Sequence, residues 1–240
     1  TRYAIGRCEG LTVLSTALAQ ATQAAGIPAG RIRIIPNGVA TDQWTPPPDG
    51  ERANELLFVG SFIERKGVRH LLRAAPDLLQ RLPGYRLVLI GDGPQEAELR
   101  EMAARSGFAE QIEFRGFLPQ EEVRAAMQRA RVFILPSLEE GLGVVLLEAL
   151  ACGTPIVASR VDGIVDVVTD DVGVLAPPSD PEQLGAGVLQ VLASPEHWRE
   201  FSRAARVRAV EHYDWDHVAR QFVTLYRSIV SGDRSRAASA

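Results

Sequence analysis

Apolar positions along the chain fall into two alternating rhythms. Eight short apolar runs read as strands: LTVLS (11–15), IRIIP (32–36), LLFVG (56–60), RLVLIG (86–91), IEFRG (112–116), VFILP (132–136), PIVAS (155–159) and GVLAP (173–177). They are rich in β-branched residues and end in Gly, Pro or Ser. Several are apolar on both faces, as strands of a covered parallel sheet must be. Between them lie amphipathic stretches. Residues 67–82 place Leu71, Leu72, Ala75, Leu78 and Leu79 on one helical stripe, and 95–107 and 121–130 repeat the pattern more weakly. Strand–helix alternation of this length predicts an α/β fold, a Rossmann-like doubly wound parallel sheet. Residues 181–230 read as a C-terminal helical segment, with Asp214 as N-cap of its last helix.

Three prolines, Asp-Gly and charges make 44–54 a natural break. The expected organisation is therefore a βαβ piece plus linker over 1–43, belonging to a different sheet, a main α/β domain over 44–230, and a disordered tail over 231–240. No internal repeat is visible.

Composition narrows the function classes. The 240 residues are 46% hydrophobic and 23% charged, as in ordinary globular proteins. A net charge of −4 argues against a dedicated nucleic-acid binder. No apolar run is long enough to span a bilayer. Cys8 and Cys152 are far apart and outside any CxxC, which favours a reducing compartment. The four histidines show no metal-ligand spacing. The chain starts at Thr1 without a signal pattern and reads as a piece of something longer.

In an open α/β sheet, ligands bind beyond the carboxyl ends of the strands. Glycine recurs there, at Gly60, Gly91 and Gly116, although such folds use glycine in these turns for structural reasons as well. The stretch EEGLGVVLLEALACGTPIVAS (139–159) carries more information. A helix starting near Leu142 or Gly143 would point free amides and a positive dipole end at an anion. Gly141 and Gly143 would leave room for that anion, with Glu140 at the mouth. Glu148 then lies about one and a half turns into an otherwise apolar helix. A buried carboxylate needs donors. The vicinal hydroxyls of a ribose would supply two; backbone amides or a basic side chain would serve equally well, and spacing does not choose. Lys66, the sole lysine in the chain, precedes Gly67 at the start of another helix. It is a poor electrostatic choice for a helix N-terminus and a good point charge for a phosphate.

Together EGLGVVLLEALACGTPIVAS, VGSFIERKG, LIGDGP, IEFRGFL, VFILPS and IIPNGV resemble, in order and spacing, the family-four retaining glycosyltransferases of GT-B fold. The likeness runs from about residue 10 to 230 and centres on the E-x7-E signature. It implies the C-terminal, donor-binding half of such an enzyme, with residues 1–43 as the last βαβ element of an otherwise missing acceptor-binding half.

The resemblance implies a nucleotide-diphosphate sugar as donor, with no cofactor and no metal. Glu148 would hold the ribose. Glu140 with Gly141, Leu142 and Gly143 would hold the sugar, and the amides of Val144 and Val145 with Lys66 would hold the diphosphate. Phe117 and Leu118 would line the base pocket, Gly60, Ser61 and Gly91 would border the donor, and the Asn37-Gly38 turn would sit at the cleft. Lys66 and Glu140 would be the catalytic pair, Lys66 stabilising the leaving diphosphate and Glu140 positioning the sugar. Ser61 departs from the family's usual arginine and removes one phosphate partner, with Arg65 the nearest replacement.

The acceptor, whether glycan, lipid or small molecule, would depend on the missing half, as would peripheral membrane association of a cytoplasmic parent; the isolated chain would be weak or inactive. A non-catalytic nucleotide-sugar-binding module is the alternative. A GT-B enzyme of another reaction type, such as an epimerase or phosphorylase, fits the Lys66, Glu140 and Glu148 set less well.

Overall fold

The structure, a computed structural model, describes residues 8–48 and 50–231. Residues 1–7 of the expected first segment and 232–240 of the expected tail lie outside the described residues, while Ser231 closes the last helix.

All eight apolar runs form strands. The first two, β1 (Leu11–Val13) and β2 (Ile32–Ile34), make a separate parallel pair joined through α1 (Thr16–Ala24). The other six are β3 (Glu55–Val59), β4 (Arg86–Ile90), β5 (Ile112–Gly116), β6 (Val132–Leu135), β7 (Ile156–Ser159) and β8 (Gly173–Ala176). They form one parallel sheet in the order β5-β4-β3-β6-β7-β8. The chain winds outward from β3 to β5, returns to the middle at β6, and winds the other way to β8. The point of reversal lies between β3 and β6, which pair through Leu56 with Val132 and Leu57 with Phe133.

Every residue of β3, β6 and β7 is buried, because helices cover both faces of the sheet. The crossovers are α2 (Val68–Arg81), α3 (Glu96–Ala104), α4 (Gln120–Arg129), α5 (Val144–Ala151) and the one-turn α6 (Ile164–Val167). The predicted stripe of α2 is its buried face. The C-terminal segment resolves into α7 (Pro181–Val191), α8 (Pro195–Arg208), a π turn over Ala209–Tyr213, and α9 (Trp215–Ser231). Asp180 and Ser194 cap α7 and α8 through the amides of Gln183 and His197, each just ahead of a proline in the first turn. Asp214 accepts from the Asp216 amide at 2.9 Å, as its position in the sequence predicts.

The two sheets are tied at a crossing near Val39. Val39 donates to the Tyr213 carbonyl at 2.7 Å and accepts from Trp215 at 3.3 Å. Gly38 lies under the Trp215 ring, where a Cβ would meet it at 2.5 Å. Arg206 draws the same crossing onto the end of α5 through the carbonyls of Thr41, Trp44 and Ala151. The proline-rich 44–54 stretch is a loop with packed ends: Trp44 is in the core, and the guanidinium of Arg52 is threaded under the sheet.

Candidate functional site

The loops that follow β3 and β6 leave the sheet side by side, at the reversal of strand order where an open α/β sheet opens a crevice. They are laced together. Leu138 donates to the Arg65 carbonyl at 2.7 Å. Gly67 comes so close to the Pro136 carbonyl that a Cβ would lie 2.0 Å from it, and its φ is +65°. Only glycine meets both demands. The consequence is that Lys66, in a short 3₁₀ turn (Glu64–Lys66), is delivered across the crevice to Glu140. Lys66 Nζ and Glu140 Oε2 form an ion pair, with side chains 14% and 11% exposed. Sequence reading gave these two residues separate tasks; the fold makes them one unit.

The helix behind Glu140 begins at Val144, one or two residues later than predicted. Gly143 has φ +82° and terminates the loop in the left-handed region, so the helix cannot include it. No side chain caps this end, which leaves the amides of Val144 and Val145 free to meet an anion. Val144 is exposed and Leu142 is buried beneath the loop. Glu148 consequently lies little more than one turn into α5, nearer the crevice than its spacing suggested.

Glu148 is half-buried, and among the described residues its carboxylate has no hydrogen bond or ion pair. Burial pushes its pKa up to about 7. Cys152, one turn further on, is buried and pushed up to about 12, mainly by burial, so it is no nucleophile at neutral pH. His70, on the first turn of α2, has its pKa lowered by burial and then by Arg73, and it stays neutral beside Gly67.

The remaining predicted positions distribute unevenly. Gly60 and Ser61 open the loop after β3, Ser61 exposed and Gly60 half-buried. Gly91 faces the Gly60 carbonyl, where a Cβ would lie 1.9 Å away, so the room its missing side chain leaves is filled by protein backbone. Phe117 projects from the end of β5 with 79% of its surface exposed, and Leu118 packs on the core margin. Among the described residues a Cβ on Gly141 would meet Leu18 of α1 alone, at 3.9 Å. The Asn37-Gly38 turn lies at the crossing under Trp215. Arg65 is exposed, and its carbonyl accepts from the Leu138 amide.

Sequence reading missed the segment after β7. Gly163 donates to the Glu140 carbonyl at 3.0 Å, and a Cβ on it would lie 2.1 Å from the Gly141 carbonyl. Its signal was the Asp-Gly turn at 162–163, which the strand pattern passes over.

The model of the family described as glycosyl transferases group 1 matches residues 45–208. The chain belongs to this family. Among its relatives are the glycogen synthase of Mycobacterium tuberculosis, 34% identical over 216 residues that cover 89% of this chain and 52% of that protein. Another is the phosphatidyl-myo-inositol mannosyltransferase of Mycobacterium leprae, 37% identical over 85% of this chain and 56% of the relative. This member of the family thus spans about half the length of the curated relatives it matches.

Solved structures agree on the fold. Sucrose-phosphate synthase from Thermosynechococcus elongatus superposes with a TM-score of 0.79 at 29% identity, covering 92% of this chain and 58% of that one. Anabaena HepE in complex with UDP-glucose superposes with a TM-score of 0.83 at 21% identity, covering 95% and 67%. The sheet order and flanking helices are those of GT-B glycosyltransferases.

Proposed function

We propose that this chain is the donor-binding half of a retaining glycosyltransferase that takes its sugar from a nucleotide diphosphate. The observation that carries the reading is the convergence, at the strand-order reversal, of a lysine, an uncapped helix N-terminus and a carboxylate with no protein partner. These match the three parts of a sugar nucleotide. The ribose hydroxyls would donate to Glu148. The diphosphate would lie on the amides of Val144 and Val145 and on Lys66. The sugar would meet Glu140 and the backbone of 141–143. The exposed Phe117 ring and Leu118 would flank the base, and Gly60, Ser61 and Gly91 would border the donor. Anabaena HepE, a structural neighbour, was solved with UDP-glucose.

Transfer develops negative charge on the departing diphosphate. Lys66 and the helix amides stand where that charge forms, and preorganised donors of this kind are a major source of rate enhancement. Lys66 pairs with Glu140, so donor binding would redistribute this pair: the phosphate would take the ammonium and sugar hydroxyls the carboxylate. A carboxylate engaged this way suits a positioning role better than attack on the anomeric carbon. No metal or other cofactor has a part in the scheme.

In this reading residues 1–43 are the last βαβ element of an acceptor-binding half, and 44–230 form the donor domain. The acceptor and any peripheral attachment to the inner face of a membrane belong to the longer protein, which we place in the cytoplasm. No helix among the described residues is long and apolar enough to cross a membrane. Ser61, exposed and uncharged, keeps the alternative of a non-catalytic nucleotide-sugar-binding module in play.

Calorimetric titration with UDP, GDP and ADP tests the proposal. Saturable binding of at least one is expected, tighter for the diphosphate than for its nucleoside; no binding by any of them overturns it.

A further inference from the structure

We infer that Asp166 is a positioning residue that holds helix α1 of the first sheet against the Glu140 loop. Its Oδ2 accepts a hydrogen bond from the backbone N–H of Thr16 at 2.6 Å, across 150 positions of sequence. Thr16 opens α1, whose first turn contains no acidic residue. Ser15 Oγ caps the Leu18 amide at 3.4 Å, and Asp166 supplies the negative charge that the helix N-terminus favours.

The rest of α6 is built to keep that carboxylate in place. Its amino end is locked to the candidate donor loop through Gly163, whose amide donates to the Glu140 carbonyl at 3.0 Å. Its carboxyl end is held from behind. Arg208 donates to the Asp166 carbonyl at 2.9 Å and to the Val167 carbonyl at 2.8 Å, and Tyr213 Oη donates to the Asp166 carbonyl at 3.1 Å. The main chain of Asp166 is therefore immobilised by the π turn, while its side chain reaches the other sheet. The result is a wall: Leu18 of α1 comes to rest beside Gly141. The crossing at Val39 and Tyr213 joins the two sheets at a pivot, and Asp166 joins them again at the crevice. Under the donor-site reading, on which this part rests, Asp166 closes the sugar end of the site and leaves the nucleotide end untouched.

The test uses the full chain. Hydrogen–deuterium exchange is followed in peptides covering 14–25, with β4 as internal reference, and sugar-nucleotide and nucleotide affinities are measured with UDP-, GDP- and ADP-glucose against UDP, GDP and ADP. Asp166→Ala is expected to speed exchange in α1 by about fivefold, the size of effect a lost cap gives, without changing β4. Asp166→Asn keeps an oxygen acceptor and should restore most of the protection. The preference for sugar nucleotide over nucleotide should fall in Asp166→Ala, while nucleotide affinity stays unchanged. Unchanged exchange in α1, equal acceleration in β4, or an Asn variant as impaired as Ala overturns the assignment. If the unaltered protein binds no nucleotide, the donor-site reading fails, and the exchange data still decide the role of Asp166.

Discussion

The two ends of the central sheet are built on opposite principles. At the amino end Arg52, just ahead of β3, spends both terminal nitrogens of its guanidinium on groups that precede β6 and β7. Nη1 reaches the carbonyls of Met127 and Ala130 at 3.2 and 3.1 Å and Thr154 Oγ1 at 2.7 Å; Nη2 reaches the carbonyls of Cys152 and Gly153 at 2.6 and 3.1 Å. Burial lowers its pKa to about 10, which still leaves it charged at neutral pH. Trp198 lies between Arg52 and Arg131 and donates to the Arg131 carbonyl. A hollow of 390 Å³ exists at this end, but its most buried arginine is already consumed by the backbone. At the carboxyl end, among the described residues, the Glu148 carboxylate has no protein partner, α5 starts without a side-chain cap, and the one lysine pairs with Glu140. The amino end spends its most buried cation on backbone carbonyls; the carboxyl end gathers a lysine, two glutamates and a helix start around one crevice.

Breaking the amino end should have the largest effect. Arg52→Ala takes the side-chain donor from the Ala130 and Cys152 carbonyls and the Thr154 hydroxyl oxygen, leaves Met127 and Gly153 with Thr154 and Ser202 alone, and should destabilise the protein by about 3 kcal/mol in urea denaturation. Nucleotide affinity of the folded fraction should not change. A loss of binding at full stability would mean that the two ends are not separable in this way.

Glu148→Gln should do the reverse and raise stability above neutral pH. The folded pKa of about 7 lies above the ordinary 4.5, so this carboxyl contributes stability that is fully present below 4.5 and lost as pH rises through 7. The gain at pH 8 should approach 3 kcal/mol, reduced by solvent screening at the exposed edge, and should vanish below pH 4.5. Nucleotide binding to the unaltered protein should release a proton near pH 7 and tighten from pH 6 to 8. Calorimetry in two buffers of different ionisation enthalpy detects this release, which should be absent in the Gln variant.

Lys66→Ala sharpens the comparison within the carboxyl end. Removing a charge-assisted phosphate contact should weaken diphosphate binding by about 2 kcal/mol, some thirtyfold, and leave nucleoside binding as it was. Equal loss for both would reassign Lys66 to the fold.

Local features made much of this legible from sequence. The eight strands were visible because apolar, β-branched runs bounded by Gly and Pro report their own conformation, and the stripe of α2 because Leu71, Leu72, Ala75, Leu78 and Leu79 repeat at helical spacing. The misplaced start of α5 has a local cause too: Gly143 could have been a helical residue or a left-handed stop, and spacing does not separate them. For Gly91 the sequence left a ligand's approach and a structural turn both open; a Cβ on it would meet the Gly60 carbonyl, a contact between loops some thirty residues apart.

The sequence by itself determined the α/β class and the eight strands, because each of these depends on a few neighbouring positions. It also carried the family, through motifs that hold their order and spacing. Only the tertiary structure decided which of the candidate residues meet. Setting β3 beside β6 paired Lys66 with Glu140; packing α5 against its neighbours left Glu148 half-buried with no donor among the described residues; folding α6 back brought Asp166 to Thr16. Such relations depend on strand order and backbone approach between distant segments, and a linear pattern does not encode them in any single stretch.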